Sequence, residues 1–172
     1  MSARRSPGPG ILGRDAADPA GTRELAGRRR SGLHVLLVVL AVASVAVHLF
    51  GLYRSTGPPS PAWFPYADKA EHLVGFGAPV ALVLLARSCR RGWRPPPSGS
   101  REVLLVGAVF ALHGVVSELV QHFCYAGRTG DPFDVLADWS GVALGSVVAR
   151  LVAAKAVLRR RHAAPSDAAT PR

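Results

Sequence analysis

A small set of acid–base residues in this sequence has the spacing that brings side chains to one face of a helix. Asp68 and His72 lie four positions apart, and Lys69 and His72 lie three apart, so each pair would share a helix face. Glu118 and Gln121 have the same helical spacing farther along the chain. A carboxylate beside a histidine can exchange a proton or hold a polar ligand. The sequence therefore offers one candidate site built from two or more helices.

Further ionisable residues surround the start of the last apolar run: Arg128, Asp131, Asp134 and Asp138. Asp131 is predicted to cap a helix that begins at Pro132, and Asp134 lies where a carboxylate meets the free amides and the positive dipole end. These two acids fit a structural role. Glu118 and Asp138 lie more than a turn inside apolar runs, where an unpaired charge is costly, so they are expected to pair with His72, Lys69 or Arg128. For Glu118, His72 and Asp138 we favour a functional role.

The other histidines and a metal are weaker candidates. His34 and His48 lie near the ends of the first apolar run and are predicted to be interfacial, and His113 is predicted to be a packing residue. Mixed His and carboxylate ligands from His72, Glu118, His122 and an aspartate could hold a metal. No ligand-spacing motif such as HExxH is present, so the sequence predicts neither a metal nor a cofactor.

Four apolar runs must position these residues. They cover Leu33–Tyr53, Ala70–Ala86, Val103–Phe123 and Phe133–Ala149. Each approaches the ~20 residues that cross a bilayer core, and none shows the charged face of a soluble helix. Gly141 and Gly145 form a small-xxx-small pair on the stripe that also carries Asp134 and Asp138, which predicts a close helix contact there. The expected fold is an all-α integral membrane four-helix bundle.

The basic residues orient this bundle. Of the 21 Lys and Arg residues, all except Arg54, Lys69 and Arg128 lie before the first run, between the second and third runs, or after the fourth run. Positive loops stay inside, so both termini are predicted to be cytoplasmic in the plasma (inner) membrane, with the polar residues at the outer face. The expected domains are a disordered basic tail over residues 1–31, a transmembrane domain over 32–158 and a disordered tail over 159–172. Although the formal charge is +10, the arginines never interleave with aromatic residues, so nucleic acid is not an expected partner.

The motifs in chain order resemble the VanZ-like family over about residues 33–155. The segment from Asp68 to His72 matches its DKxxH element, and Glu118 to Gln121 matches ExxQ. The segment from Arg128 to Asp134 matches RxxDxxD, and Gly141 with Gly145 matches the family's glycine pair. Asp138 departs from the family pattern, which usually has Asn, and this charge suggests an added partner. The resemblance implies a small integral membrane protein of the cell envelope, in a family whose founding member is associated with teicoplanin resistance.

Two functions of different classes remain open at this point. The favoured one is non-enzymatic binding of a lipid, a lipid-linked cell-wall precursor or a glycopeptide at the outer face, with membrane lipids as general partners. The alternative is a membrane enzyme that uses Glu118 and His72 for acid–base chemistry on a lipid-linked substrate. No nucleophile elbow or phosphate-binding loop supports catalysis. A transporter would need a dimer, because four helices without inverted repeats do not form two halves.

Overall fold

The computed structural model describes residues 19–54, 63–97, 99–126 and 128–163, and these residues form an antiparallel helical bundle. Its four helices are α1 (Pro19–Tyr53), α2 (Ala67–Arg90), α3 (Arg101–Cys124) and α4 (Pro132–Ala163). Each is long and apolar enough to cross a membrane, although in α1 the candidate span begins only at Gly27. Over the described residues, the prediction of an all-helical fold with four helices long and apolar enough to span a membrane is therefore confirmed. Its orientation in the membrane stays a prediction.

The helices extend farther than the apolar runs that identified them. α1 begins at Pro19 and α4 ends at Ala163, so the expectation of disorder is wrong for residues 19–31 and 159–163. Pro19 suits the first helical position, and Arg28 donates to Glu24 one turn earlier at 2.9 Å, which supports the polar first part of α1. The rest of both predicted tails lies outside the described residues.

The bundle has two ends, and its polar residues are divided between them. The polar end is the one where α1 and α3 end and where α2 and α4 begin; the basic end is the opposite one. At the basic end, Arg87 and Arg91 both donate to Glu102 at the start of α3. Cys89 lies in the last turn of α2 and is buried.

The seam between α2 and α4 is made by glycines. A Cβ atom on Gly77 would lie 3.0 Å from the Gly141 carbonyl oxygen. A Cβ on Gly141 would overlap the Leu73 carbonyl oxygen, and one on Gly145 would overlap that of Gly77. These backbones therefore pack without intervening side chains, as small-xxx-small pairs allow. The apolar core continues along the seam through Phe76, Val80, Leu84, Val142 and Ala149.

The other two helices pack outside this seam. α1 lies along α2, and α3 lies mainly along α4. The buried residues of α3 are all small or polar and occur in its second half: Gly114, Ser117, Glu118 and Gln121. α3 is therefore fixed chiefly near the polar end, where the candidate site lies.

Candidate functional site

Lys69 joins the start of α2 to the start of α4. Its Nζ donates to Asp131 Oδ2 at 2.5 Å, to Asp134 Oδ1 at 2.6 Å and to Asp68 Oδ2 at 3.1 Å. The hydrogen bonds from Lys69 and from the Phe133 amide hold the pKa of Asp131 below its usual value. Asp131 Oδ1 accepts the Phe133 amide at 2.8 Å, which is the N-cap arrangement that the sequence predicted. These contacts fix where α4 begins relative to α2.

His72 and Asp138 form a buried pair one turn deeper. His72 Nδ1 lies 2.8 Å from Asp138 Oδ1; His72 is 9% exposed and Asp138 is fully buried. Beside an ionised carboxylate, which accepts, Nδ1 carries a proton, and in the neutral imidazole Nε2 then has the lone pair. A Cβ on Gly114 would lie 2.8 Å from Asp138 Oδ2, so this glycine of α3 makes room for the carboxylate. Asp138 is thus held between three helices and fixes the orientation of the imidazole.

Glu118 brings α3 into the same cluster. Its Oε2 accepts the backbone amide of Asp131 at 2.9 Å, and its buried Oε1 has no hydrogen-bond partner. Gly130 allows this approach, since a Cβ there would lie 2.7 Å from the Glu118 carbonyl oxygen. One ligand atom each from His72, Glu118 and Asp134 lies within 4.8 Å of the others. The structure therefore joins three of the sequence-derived candidates into one compact group.

Gln121 and Arg128 lie elsewhere, at the end of α1. Gln121 Nε2 donates to the Leu52 carbonyl at 3.2 Å, and Arg128 Nη1 donates to the carbonyls of Leu52 at 3.2 Å and Arg54 at 3.1 Å. The expectation that Arg128 could pair with Glu118 or Asp138 is therefore wrong. The free carbonyls and negative dipole end of a helix C-terminus attract such donors more directly.

A cleft opens between α1 and α2 beside this cluster. Its volume is about 760 Å³, and its apolar wall includes Val47, Leu52, Val74 and Ala78. Its polar lining includes Arg54, Asp68, Glu71, His72 and Arg128. Arg54 pairs with Glu71 at 2.7 Å, while the buried Nε of Arg54 has no hydrogen-bond partner. His72 lies between the cleft and the buried group, since it lines the cleft and also pairs with Asp138.

His48 is a lining residue that the sequence analysis assigned to the membrane interface. It is buried, and its ring packs edge-on against Phe76 with centroids 4.4 Å apart. Gly75 makes the space, because a Cβ there would lie 2.9 Å from His48 Nδ1. Its position in the sequence could have indicated burial, because His48 lies more than a turn before the end of α1 at Tyr53. The predicted packing role of His113 agrees with its ring contacts to His48 and Phe76.

No protein-family model, curated protein or solved structure matches this chain. The geometry of the polar end is consequently the basis for assigning a function. Two features of that geometry stand out: an amphipathic cleft that opens between two helices, and a buried histidine–carboxylate cluster behind it.

Proposed function

We propose that this chain is a VanZ-like protein of the cell envelope that binds an amphipathic ligand at the outer face of the plasma membrane. The ligand class is a lipid, a lipid-linked cell-wall precursor or a glycopeptide, and the first two fit best. The observation that carries this proposal is the cleft of about 760 Å³ between α1 and α2, which combines an apolar wall with a charged mouth. Ligand sites typically have volumes of about 300–1,000 Å³.

The apolar wall of the cleft suits the hydrocarbon chain of a lipid, and its charged mouth suits the headgroup. Val47, Leu52 and Val74 offer an apolar surface to an acyl or prenyl chain, and the cleft lies between helices that would be surrounded by lipid. At the mouth, the unpartnered Nε of Arg54 offers a hydrogen bond to an anionic headgroup. Phosphate fits this donor well, because guanidinium groups bind it in a planar, charge-assisted geometry.

The charge distribution supports binding on the outer side of the membrane. The basic end carries Arg87, Arg91 and the arginines at the end of α4, so the positive-inside rule directs it and both termini to the cytoplasm. The cleft is at the opposite end and would open toward the outer leaflet. Lipid-linked precursors of the cell wall would meet it there.

A second candidate is catalysis on such a ligand. His72 lines the cleft while Asp138 holds its Nδ1–H at 2.8 Å, which is how a histidine base is oriented. Conversion of a bound lipid to a product would support acid–base catalysis over binding alone. Incubation of the pure protein with its co-purified lipid, followed by mass spectrometry, separates the two functions.

The test of the binding proposal is native mass spectrometry of the protein extracted from its membrane. We expect a retained lipid that is lost in Val74→Trp, because this change fills the cleft. The matched control is Leu105→Trp, which adds the same group to an exposed position of α3 outside the cleft. A tenfold weaker retention, about 1.4 kcal/mol, is the smallest effect that would support the cleft as the site. Equal retention by the two variants would contradict it.

A further inference from the structure

Three helices bring one histidine and two carboxylates close enough to share an ion. Ligand atoms of His72 on α2, Glu118 on α3 and Asp134 on α4 all lie within 4.8 Å of one another, and all three residues are buried. We propose that these three side chains form a binding site for a divalent transition-metal ion, with Zn²⁺ as its probe. The proposal does not depend on the lipid cleft, since neither Glu118 nor Asp134 lines it.

The geometry of His72 and Asp134 is that of two ligands rather than of a hydrogen-bonded pair. His72 Nε2 lies 3.9 Å from Asp134 Oδ2, which is too far for a hydrogen bond. Bonds from a metal to imidazole nitrogen or carboxylate oxygen are about 2.0–2.2 Å long, so two ligands of one ion can be up to about 4.4 Å apart. The separation of 3.9 Å lies inside this limit, and small side-chain rotations bring any wider pair within it.

The hydrogen bonds of the cluster leave one ligand atom of each residue free to bind an ion. Asp138 occupies His72 Nδ1, so Nε2 is the nitrogen with a lone pair. Lys69 occupies Asp134 Oδ1, which leaves Oδ2. Glu118 Oε2 accepts the Asp131 amide, while its Oε1 is buried and has no hydrogen-bond partner. An unpartnered carboxylate oxygen in a residue only 5% exposed is costly, and a bound cation would satisfy it.

Asp138 has the position of a supporting residue. Histidines that bind metals usually donate their second nitrogen to a carboxylate, which fixes the tautomer and makes the ligand more basic. The fully buried Asp138 accepts from His72 Nδ1 in this way. We therefore assign His72, Glu118 and Asp134 to the metal and Asp138 to the orientation of His72.

The charge of the cluster also favours a cation. Five carboxylates at this end of the bundle are joined to the cluster by hydrogen bonds: Asp68, Glu118, Asp131, Asp134 and Asp138. Among the described residues, Lys69 is the only Lys or Arg whose side chain bonds to any of the five. A dication would balance charge that Lys69 leaves uncompensated. A nitrogen ligand favours a transition metal over Mg²⁺ or Ca²⁺, which prefer all-oxygen sites.

The test measures Zn²⁺ on the purified full chain after the affinity tag is removed and the protein is washed with a chelator. We expect one Zn²⁺ per chain by elemental analysis, and a higher melting temperature with Zn²⁺ than with chelator. Asp138→Asn should weaken binding by about 10–100-fold, as loss of a supporting carboxylate does. Glu118→Gln should weaken it further, because a ligand oxygen becomes an amide. X-ray absorption should show nitrogen and oxygen ligands without sulfur.

Two controls distinguish this site from adventitious metal. His122→Gln removes an exposed histidine of α3 at the same end of the bundle, and Glu102→Gln removes a carboxylate at the basic end. Both should bind Zn²⁺ as the parent does. Binding that falls in His122→Gln but not in Glu118→Gln would overturn the proposal, as would absence of tight Zn²⁺ binding in a parent protein that melts cooperatively. Glu118→Gln retains an acceptor for the Asp131 amide, so its melting curve without metal shows whether the variant is folded.

Discussion

The two ends of the bundle hold charges in opposite ways. At the basic end, Arg87 and Arg91 share Glu102 on side chains that remain about a third exposed, and the three residues lie within one helix–loop–helix segment. At the polar end, His72 and Asp138 are buried and come from α2 and α4. Exposed ion pairs contribute little to stability, whereas burying a charge costs free energy that pairing and hydrogen bonds only partly offset. The ion pairs of Glu102 at the basic end therefore fit a structural role, whereas the buried pair at the polar end fits a candidate site.

Unpaired carboxylate oxygens mark the same difference. Glu118 Oε1 and Asp138 Oδ2 are buried without a hydrogen-bond partner, while both carboxylate oxygens of Glu102 are paired. Toward the basic end, the buried side-chain atoms without a partner are donors, Arg87 Nε and Arg150 Nη1. The polar end instead keeps free acceptors beside a cleft, as expected of a site that receives a ligand.

Separating α2 from α4 should destabilise the protein more than any other change considered below. Gly141→Leu should lower the free energy of unfolding by about 3 kcal/mol, because even its Cβ would overlap the Leu73 carbonyl and neither backbone can move independently. Gly32→Leu is the matched control, since a Cβ there meets nothing within 4 Å. Thermal unfolding in detergent measures both. Equal melting temperatures for Gly141→Leu and the parent would show that the glycine seam does not hold the cluster together.

The next prediction compares one glutamate from each end. Glu118→Gln should keep folding nearly intact, because the amide oxygen still accepts the Asp131 N–H, yet it should abolish the effect of the protein on glycopeptide sensitivity. Glu102→Gln should cost less than about 1 kcal/mol and leave this effect unchanged. Membrane abundance, melting temperature and glycopeptide sensitivity are measured on the two variants. A loss of about 3–5 kcal/mol for Glu118→Gln would instead indicate a structural ion pair, and a stable variant with full activity would remove Glu118 from the site.

Orientation can be tested with cysteines at the two ends. Cys124 is exposed at the polar end and should react with a membrane-impermeant maleimide added to intact cells. Arg101→Cys, made in a Cys124→Ser background, places a thiol at an exposed position of the basic end and should stay unlabelled. The buried Cys89 is unsuitable as a probe, because burial alone would protect it. The reverse labelling pattern would invert the topology and move the cleft to the cytoplasmic side.

The smallest expected effect concerns the pH dependence of the link between Lys69 and Asp131. The pKa of Asp131 is lowered in the folded protein, so its contribution to stability is present above the unfolded value of about 3.9 and is lost as the pH falls through the folded value. Solvent screening limits this contribution to less than about 1 kcal/mol. Melting temperatures measured from about pH 6 to about pH 3 should fall slightly less in Asp131→Asn than in the parent. An identical slope would show that another group sets the acid limit.

Much of the fold could be predicted, because a helix that spans a membrane must have a long apolar run. Apolar length alone locates four helices, and Asp131 with Pro132 locates the start of α4. The helix ends were less predictable. Polar residues such as those from Pro19 to Arg30 lack an apolar signal, and only helix propensity and local ion pairs extend α1 through them.

The site was predictable in its residue types and less so in its partners. Helical spacing brings His72, Glu118 and Asp138 toward one region, and the structure has Asp138 beside His72, one of the three partners that the sequence offered. Arg128 could not be assigned in advance, because its partners are backbone carbonyls, which have no pattern in the sequence. Gly114 was missed for a similar reason, since only the packed structure shows that it makes room for Asp138.

The buried pair also has a consequence for how the chain is assembled. His72 belongs to the second helix to be synthesised and Asp138 to the last, so the two cannot meet until the whole bundle has entered the membrane. An aspartate at the centre of a membrane helix costs about 2.5–3.5 kcal/mol at insertion, and less toward its end. Asp138 lies near the start of α4, and its cost is relieved only against α2 and α3. Chains cut short before α4 would leave His72 without Asp138 and Glu118 without the Asp131 amide. The cluster that forms the candidate site would thereby form only after α4 has joined the bundle.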